Sequence, residues 1–402
     1  MKAPFRPLLL AASALLAVCS ASAQATLTAV GDLSGGTFSS EVRDVAKVGG
    51  TLRAVGQSND GNTTGFYWTA GGGMVALPDL VANTGGTAAI IASAITPDGA
   101  YIAGRAYSAA SGNTRQSVRY DTGNLSSPLN LLGPGAGGAV AVSDNGNLLY
   151  GFAPVSGVTR AFRYTVSGSA ADAIPLIGSM TNNNFTGRAT SADGSIALGN
   201  AGTSASLQGA GTRAFVWDNA GAGSVDAIDL LSGGTWNQSL ALNNAATIGL
   251  FAGDSTAYNG SSSEAYLIIN DVVTAIGAPG TGLMPNIFGG LSEDGSVVAL
   301  GWVGTGGGSF IYNASGWHSI ASVSTNAGID LTGWSNLNIL GMSADATLVW
   351  GSGTNSNGTE GFIMEFSSGY LSAVPEPSTY AALAGVAALG LAVWHRRRGA
   401  VV

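Results

Sequence analysis

Seven glycines recur through this chain at nearly even intervals, and that period limits the fold more than any single motif does. Gly56, Gly104, Gly151, Gly199, Gly253, Gly301 and Gly351 are separated by 48, 47, 48, 54, 48 and 50 residues. A period this regular marks repeated supersecondary units. A turn pair precedes each glycine: Asp98-Gly99, Asn145-Gly146, Asp193-Gly194 and Asp294-Gly295, with Gly49-Gly50, Asn244-Ala245 and Asp345-Ala346 in the weaker units. Asp-Gly and Asn-Gly between apolar segments are strong hairpin signals, because both accept the positive φ that tight turns need. Aromatics follow in phase: Phe66 and Trp68, Tyr120, Phe162 and Tyr164, Phe215 and Trp217, Tyr266, Phe310 and Tyr312, and Phe362.

Each unit reads as four strands. In the sixth, Asn286 to Ser292 and Ser296 to Val303 flank a turn, and Ser309 to Asn313 and Trp317 to Val323 follow. Four strands in about 48 residues match one propeller blade. A lone blade cannot cover its apolar faces, so the blades must stack on one another. The expected fold is therefore all-β, a seven-bladed β-propeller over residues 26–372; a β-solenoid or a sandwich pair is the alternative. Leu27 to Leu33 followed by Ser34-Gly35-Gly36-Thr37 parallels Ile228 to Leu231 followed by Ser232-Gly233-Gly234-Thr235. That parallel makes the N-terminal segment a last-strand element, expected to pair into the final blade and close the ring. Tyr370 to Val374 competes for the same edge.

Composition agrees: 62 glycines, 9% charged residues and 46% hydrophobic residues suit short strands and tight turns, and the apolar content is too high for a disordered chain. The net charge is −8, and five of the fifteen basic residues, Lys2, Arg6 and Arg396 to Arg398, lie at the two chain ends. No basic stripe remains to hold phosphates, which argues against nucleic-acid binding.

Targeting segments frame the repeats. Lys2 and Arg6, the apolar Leu8 to Val18 and the small residues Ala21-Ser22-Ala23 or Ala23-Gln24-Ala25 read as a secretory signal peptide, residues 1–25, cleaved at Ala23 or Ala25. Cys19 is the only cysteine; it could serve a lipoprotein signal, but Val18 stands where a small residue belongs. At the other end, a linker over 373–379 leads into an apolar transmembrane segment over 380–394 and a basic tail over 395–402. The segment rises about 22 Å as a helix, short for a core of roughly 30 Å. Arg396, Arg397 and Arg398 extend it by snorkelling and predict that the tail stays cytoplasmic while the repeats are exported.

Val374-Pro375-Glu376-Pro377, then the apolar helix, then the arginine cluster resembles the PEP-CTERM sorting signal of Gram-negative bacteria. The resemblance implies recognition by an exosortase-type processing enzyme in the inner membrane, and a place at the cell surface or in an exopolysaccharide matrix. The repeats resemble, more loosely, the HAF repeats of bacterial extracellular proteins. Phe66-Tyr67-Trp68-Thr69, Gly71-Gly72-Gly73-Met74 and Leu77-Pro78-Asp79-Leu80 are the nearest stretch, while Arg160-Ala161-Phe162, Arg213-Ala214-Phe215 and Glu264-Ala265-Tyr266 lack the signature histidine.

The repeats offer no recognisable catalytic set. His318 is the lone histidine outside the tail, and neither a nucleophile elbow nor a multi-histidine metal site can be built. Gly133-Pro134-Gly135-Ala136-Gly137-Gly138 lacks the lysine of a phosphate loop. Asp98, Asp144, Asp193, Asp294 and Asp345 recur at the turns, where aspartate bonds its own backbone. Oxygen-only loops such as Ser58-Asn59-Asp60-Gly61-Asn62 offer weak calcium sites, and paired carboxylates for glycoside hydrolysis are invisible in a sequence. Trp236, Trp302, Trp317 and Trp334 either stack on sugars or pack between blades. The functional expectation is a non-enzymatic surface or matrix protein without a cofactor, with a polysaccharide-acting enzyme and a calcium-dependent adhesin as alternatives.

Overall fold

The computed structural model describes residues 24–80, 90–108, 114–131, 137–168, 170–203, 211–219, 224–255 and 263–373. The signal-peptide reading, apart from Gln24 and Ala25, the Val374 to Pro377 motif, the 380–394 segment and the arginine cluster lie outside them. Among the described residues no helix is long and apolar enough to cross a membrane.

The chain forms seven four-stranded antiparallel sheets. After β1 (Ala25–Ala29), blade 1 is β2 (Ser40–Val48), β3 (Thr51–Asn59), β4 (Thr63–Thr69) and β5 (Gly73–Ala76). Blade 2 is β6 (Ile91–Ile95), β7 (Tyr101–Ser108), β8 (Thr114–Asp121) and β9 (Asn124–Leu131). Blade 3 is β10 (Gly138–Val142), β11 (Leu148–Val155), β12 (Val158–Thr165) and β13 (Ala170–Ala173). Blade 4 is β14 (Asn182–Thr190), β15 (Ile196–Gly202), β16 (Thr212–Asp218) and β17 (Ser224–Ala227). Blade 5 is β18 (Asn237–Leu242), β19 (Ile248–Asp254), β20 (Ser263–Ile269) and β21 (Val272–Gly277). Blade 6 is β22 (Met284–Leu291), β23 (Val298–Val303), β24 (Gly308–Asn313) and β25 (Gly316–Ser319), and blade 7 contributes β26 (Ser335–Met342), β27 (Leu348–Asn355) and β28 (Gly358–Phe366).

Blade 7 takes its outer strand from the other end of the chain. β1 pairs antiparallel with β28, Ala25 opposite Phe366 and Ala29 opposite Phe362, so the N-terminal segment closes the ring as its sequence parallel predicts. The parallel holds at the bond that follows the strand. The Val30 amide donates to the Gly361 carbonyl as Ile228 donates to Ala214, Ile174 to Ala161 and Leu77 to Gly65. Of the competing segment Tyr370 to Val374, the described residues do not take the edge: Leu371–Ala373 is a short 3-10 helix beyond it.

Seven apolar clusters form the core, one in each gap between neighbouring blades. The third-strand aromatics supply much of it. Phe66, Tyr120, Phe215, Tyr266 and Phe362 are fully buried, each contributing roughly 2–3 kcal/mol by leaving water.

The glycine period has a specific cause. Every innermost strand bulges where it passes the second strand. At Gly56, Gly104, Gly151, Gly199 and Gly351 a Cβ would come within 1.8 to 2.4 Å of a carbonyl oxygen of the bulged strand. Gly253 and Gly301 do not hold this place. In blade 5 it belongs to Phe251, opposite Ser239, whose ring stacks on Tyr266; in blade 6 it belongs to Leu300, opposite Gly289.

Two further boundaries differ from the sequence reading. The outer strand of blade 6 stops at Ser319, whose hydroxyl caps helix α1 (Ile320–Asn326) by accepting from the Ser322 amide. Val323 is therefore helical and fully buried. In blade 5 the turn pair is Ala245-Ala246 rather than Asn244-Ala245, since the Ala246 amide donates to Asn243 as the turn glycines Gly99 and Gly146 donate to Thr96 and Ser143.

Candidate functional site

The inner strands of all seven blades converge on the ring axis around a cavity of about 350 Å³. Its lining includes small residues such as Ala46, Ala94, Ala141, Ala241 and Gly290. Strand geometry is the reason, because an innermost strand turns its side chains toward the neighbouring blades and its edge toward the axis. The polar groups sit at the end where each first strand turns into its second: Asp44, Lys47, Asp144, Asn244 and Asp345.

The turns at this end repeat one hydrogen-bond pattern. In Thr96–Tyr101 the Thr96 hydroxyl donates to Asp98, the Asp98 carboxylate accepts from the Ala100 amide, and the Tyr101 amide donates back to Thr96. Asp193, Asp294 and Asp345 do the same with Ser191, Ser292 and Ser343. These bonds favour the charged form. The Thr96 hydroxyl holds Asp98 below its usual range, and the Ser195 and Ser296 amides do so for Asp193 and Asp294. At Asp345 desolvation pushes upward but is outweighed by Ser343 and Thr347. Turn chemistry thus accounts for four of the five aspartates.

Asp144 is the exception. Asn145 takes the turn position in its place, accepting from Ser143 and from the Asn147 amide. Asp144 stands one residue earlier, at the cavity mouth. Desolvation, then the like charges of Asp98 and Asp193, push its carboxyl up. The backbone at this position links neighbouring turns around the mouth: Asp144 to Ala192, Ala192 to Asn244 and Glu293 to Ala344, at 2.7 to 3.0 Å. Glu293 adds its carboxylate, accepting from the Asn244 and Ala245 amides. Asp44 is buried and accepts from the Val45 and Ile95 amides, joining blade 1 to blade 2, and Lys47 pairs with Glu365 at 2.5 Å. The mouth gathers carboxylates, yet most of them hold turns together.

The other sequence candidates are placed apart from the cavity. His318 lies on the outer strand β25, its Nε2 2.8 Å from the Ser315 hydroxyl. The calcium-loop oxygens are engaged locally, Asn59 with the Gly61 amide and Asp60 with the Asn62 amide and the Thr64 hydroxyl. Among the described residues no group of three or more His, Cys, Asp or Glu side chains is arranged to hold a metal ion. The tryptophans are packing residues. Trp236 and Trp302 are buried, Trp317 meets Trp302 edge-on and donates to Ile276, and Trp334 meets Phe362 edge-on.

One set of polar residues was not found from the sequence. Fully buried Asn183 and Asn237 latch the inner strands β14 and β18 to the preceding blades. Asn237 accepts from the Ala214 amide and donates to the Ile228 and Asp229 carbonyls; Asn183 does so with Ala161, Ile174 and Pro175. Ser40 plays this part at the ring closure, donating to Gly31 and accepting from Gly361. Their shared place before the bulge was the available signal.

Residues 373–398 match the family model of the PEP-CTERM protein-sorting motif. No curated protein matches the chain. Among solved structures, the β-propeller domain of the Trilobed protease from Pyrococcus furiosus, described as having an open velcro topology, is 11% identical with a TM-score of 0.52. That alignment covers 81% of this chain and 95% of the other. An oligogalacturonate lyase in complex with manganese is also 11% identical, with a TM-score of 0.53 over 86% of this chain and 98% of its own. Likeness at this identity establishes the fold alone. The motif implies processing by an exosortase and marks an exported, sorted protein. The chain is a seven-bladed β-propeller that carries a PEP-CTERM sorting motif directly behind its last blade.

Proposed function

We propose that this is an exported, non-enzymatic protein of the bacterial cell surface or exopolysaccharide matrix, in which the propeller is a binding or scaffolding module. The observation that carries the reading is the sorting motif at 373–398, which starts where the 3-10 helix Leu371–Ala373 ends the folded ring. In the precursor, residues 380–394 anchor the chain in the inner membrane and Arg396 to Arg398 remain on the cytoplasmic side. The use of the carboxylates supports a non-enzymatic role, since Asp98, Asp193, Asp294 and Asp345 are engaged by their own turns. The HAF-like reading of the repeats belongs to the same proposal: Phe66, Phe162 and Phe215 occupy one register, opposite Gly56, Gly151 and Gly199.

Protease treatment of intact cells tests this directly. Release of peptides from residues 24–373 without cell lysis supports the reading. Peptides that appear only after the inner membrane is broken would overturn it.

A further inference from the structure

Both ends of the described chain leave the propeller from one face. β28 runs toward the end where first strands turn into second strands, because the Phe366 amide donates to the Thr347 carbonyl in the blade 7 turn. β1 starts there too, Ala25 opposite Phe366. Beyond the strands the two ends are tied together, the Ser367 amide donating to the Gln24 carbonyl at 2.8 Å.

The exit toward the tail is pinned to this face. Leu371 is fully buried, its carbonyl accepts from Asn313 Nδ2 at 2.9 Å, and the Tyr370 ring stacks on Phe366. Asn313 belongs to the turn between the third and outer strands of blade 6, which lies at this same end. The cavity mouth, with Asp144 and Lys47, opens here as well.

The reach of the linker limits where the tail can go. The seven residue steps from Ala373 to Tyr380 span at most about 25 Å. A strand as long as β28 covers roughly 30 Å from one face to the other. The linker is too short to carry the 380–394 segment round to the opposite face.

We propose that the face bearing the first-hairpin turns and the cavity mouth is the membrane-proximal face of the anchored precursor. The opposite face is then the one offered to extracellular ligands. It is built from the second-hairpin turns, such as Gly304 to Gly307 and Asn355 to Gly358. This rests on the reading that residues 380–394 anchor the precursor. While the tail is intact, a polymer chain reaches the outward face and not the cavity mouth. The N-terminal end agrees: a leader released at the membrane leaves Gln24 on the side from which the tail departs.

The test uses the full chain with Cys19→Ser, produced in cells that lack an exosortase so that the tail is kept, and reconstituted into phosphatidylethanolamine and phosphatidylglycerol vesicles whose headgroups carry an energy acceptor. Single cysteines for a donor dye replace exposed Pro97 or Ala314 on the proximal face, and exposed Ser356 or Thr305 on the distal face. Transfer from Pro97→Cys and Ala314→Cys is expected to exceed that from the distal pair by about twofold or more, since roughly 30 Å of blade separates them. Equal or inverted transfer in protein that floats with the vesicles overturns the orientation while leaving the anchor intact. Protein that does not float contradicts the anchor, and the orientation falls with it.

Discussion

The Ser367 amide donates to the Gln24 carbonyl at 2.8 Å, so a residue near each end of the folded chain holds the other in place. Together with the five β1–β28 residue pairs, this bond makes the ring a closed object rather than an open stack of blades. Removing residues 24–30 exposes the β28 edge and uncovers part of the blade 6–7 core. We expect the truncated ectodomain to melt at least about 5 °C lower and to self-associate through the open edge. Unchanged melting in a monomeric protein would contradict the closure.

The same pairing separates the two cleavage sites. Cleavage after Ala25 would remove Gln24 and Ala25, both of which bond into blade 7, whereas cleavage after Ala23 keeps them. Sequencing of the mature N-terminus is expected to read Gln24-Ala25-Thr26.

Gly351 is where the inner-strand bulge presses hardest, a Cβ there falling 1.8 Å from the Asn338 carbonyl. Gly351→Ala is expected to cost about 3 kcal/mol, by forcing the bulge to move. Gly308→Ala meets only Phe310 at 3.8 Å and is expected to cost under about 1 kcal/mol. Denaturant unfolding of the two variants decides whether the glycine period reflects contact or mere turn composition.

Much of the fold is legible in the sequence, because periodicity, turn pairs and strand aromatics are local features repeated seven times. Val30 and Ile228 even kept their equivalence, each amide donating to a third-strand carbonyl of its blade. What escaped was set by neighbours distant in sequence. Gly253 and Gly301 matched the period without matching the place, since blades 5 and 6 close the contact with Phe251 and Leu300. Val323 read as strand because Ile320 and Val323 are apolar and β-branched, yet the Ser319 cap sends the chain into a helix. Asn183 and Asn237 carry no signal by type, and only the preceding blade explains them.

The Asn237 latch serves four partners at once: the Ala214 amide, the Ile228 and Asp229 carbonyls and the Tyr266 hydroxyl. Asn237→Ala leaves buried groups unpaired and is expected to cost about 3 kcal/mol or more. Asn237→Asp faces a carboxylate with two carbonyls, so its deficit relative to wild type should grow between pH 4 and pH 7 in denaturant unfolding.

Two turn carboxylates are expected to respond to pH with opposite sign. Asp294 has its folded value below 3.8, so its contribution is present above that pH and is lost as pH falls through the folded value. Asp144 has its folded value above 3.8, so its contribution is full below that pH and is lost as pH rises through the folded value. Asp294→Ala should therefore lower the melting temperature more at pH 7 than at pH 3. Asp144→Asn should raise it at pH 7 and leave it nearly unchanged at pH 3.

Mass spectrometry of the C-terminal peptide, from protein recovered in the cell-surface or matrix fraction, tests the sorting of this propeller most directly. The expected result is a terminus near Pro377 to Thr379, with the apolar segment and Arg396 to Arg398 gone. Recovery only of chains that still end at Val402, confined to the membrane pellet, would contradict it.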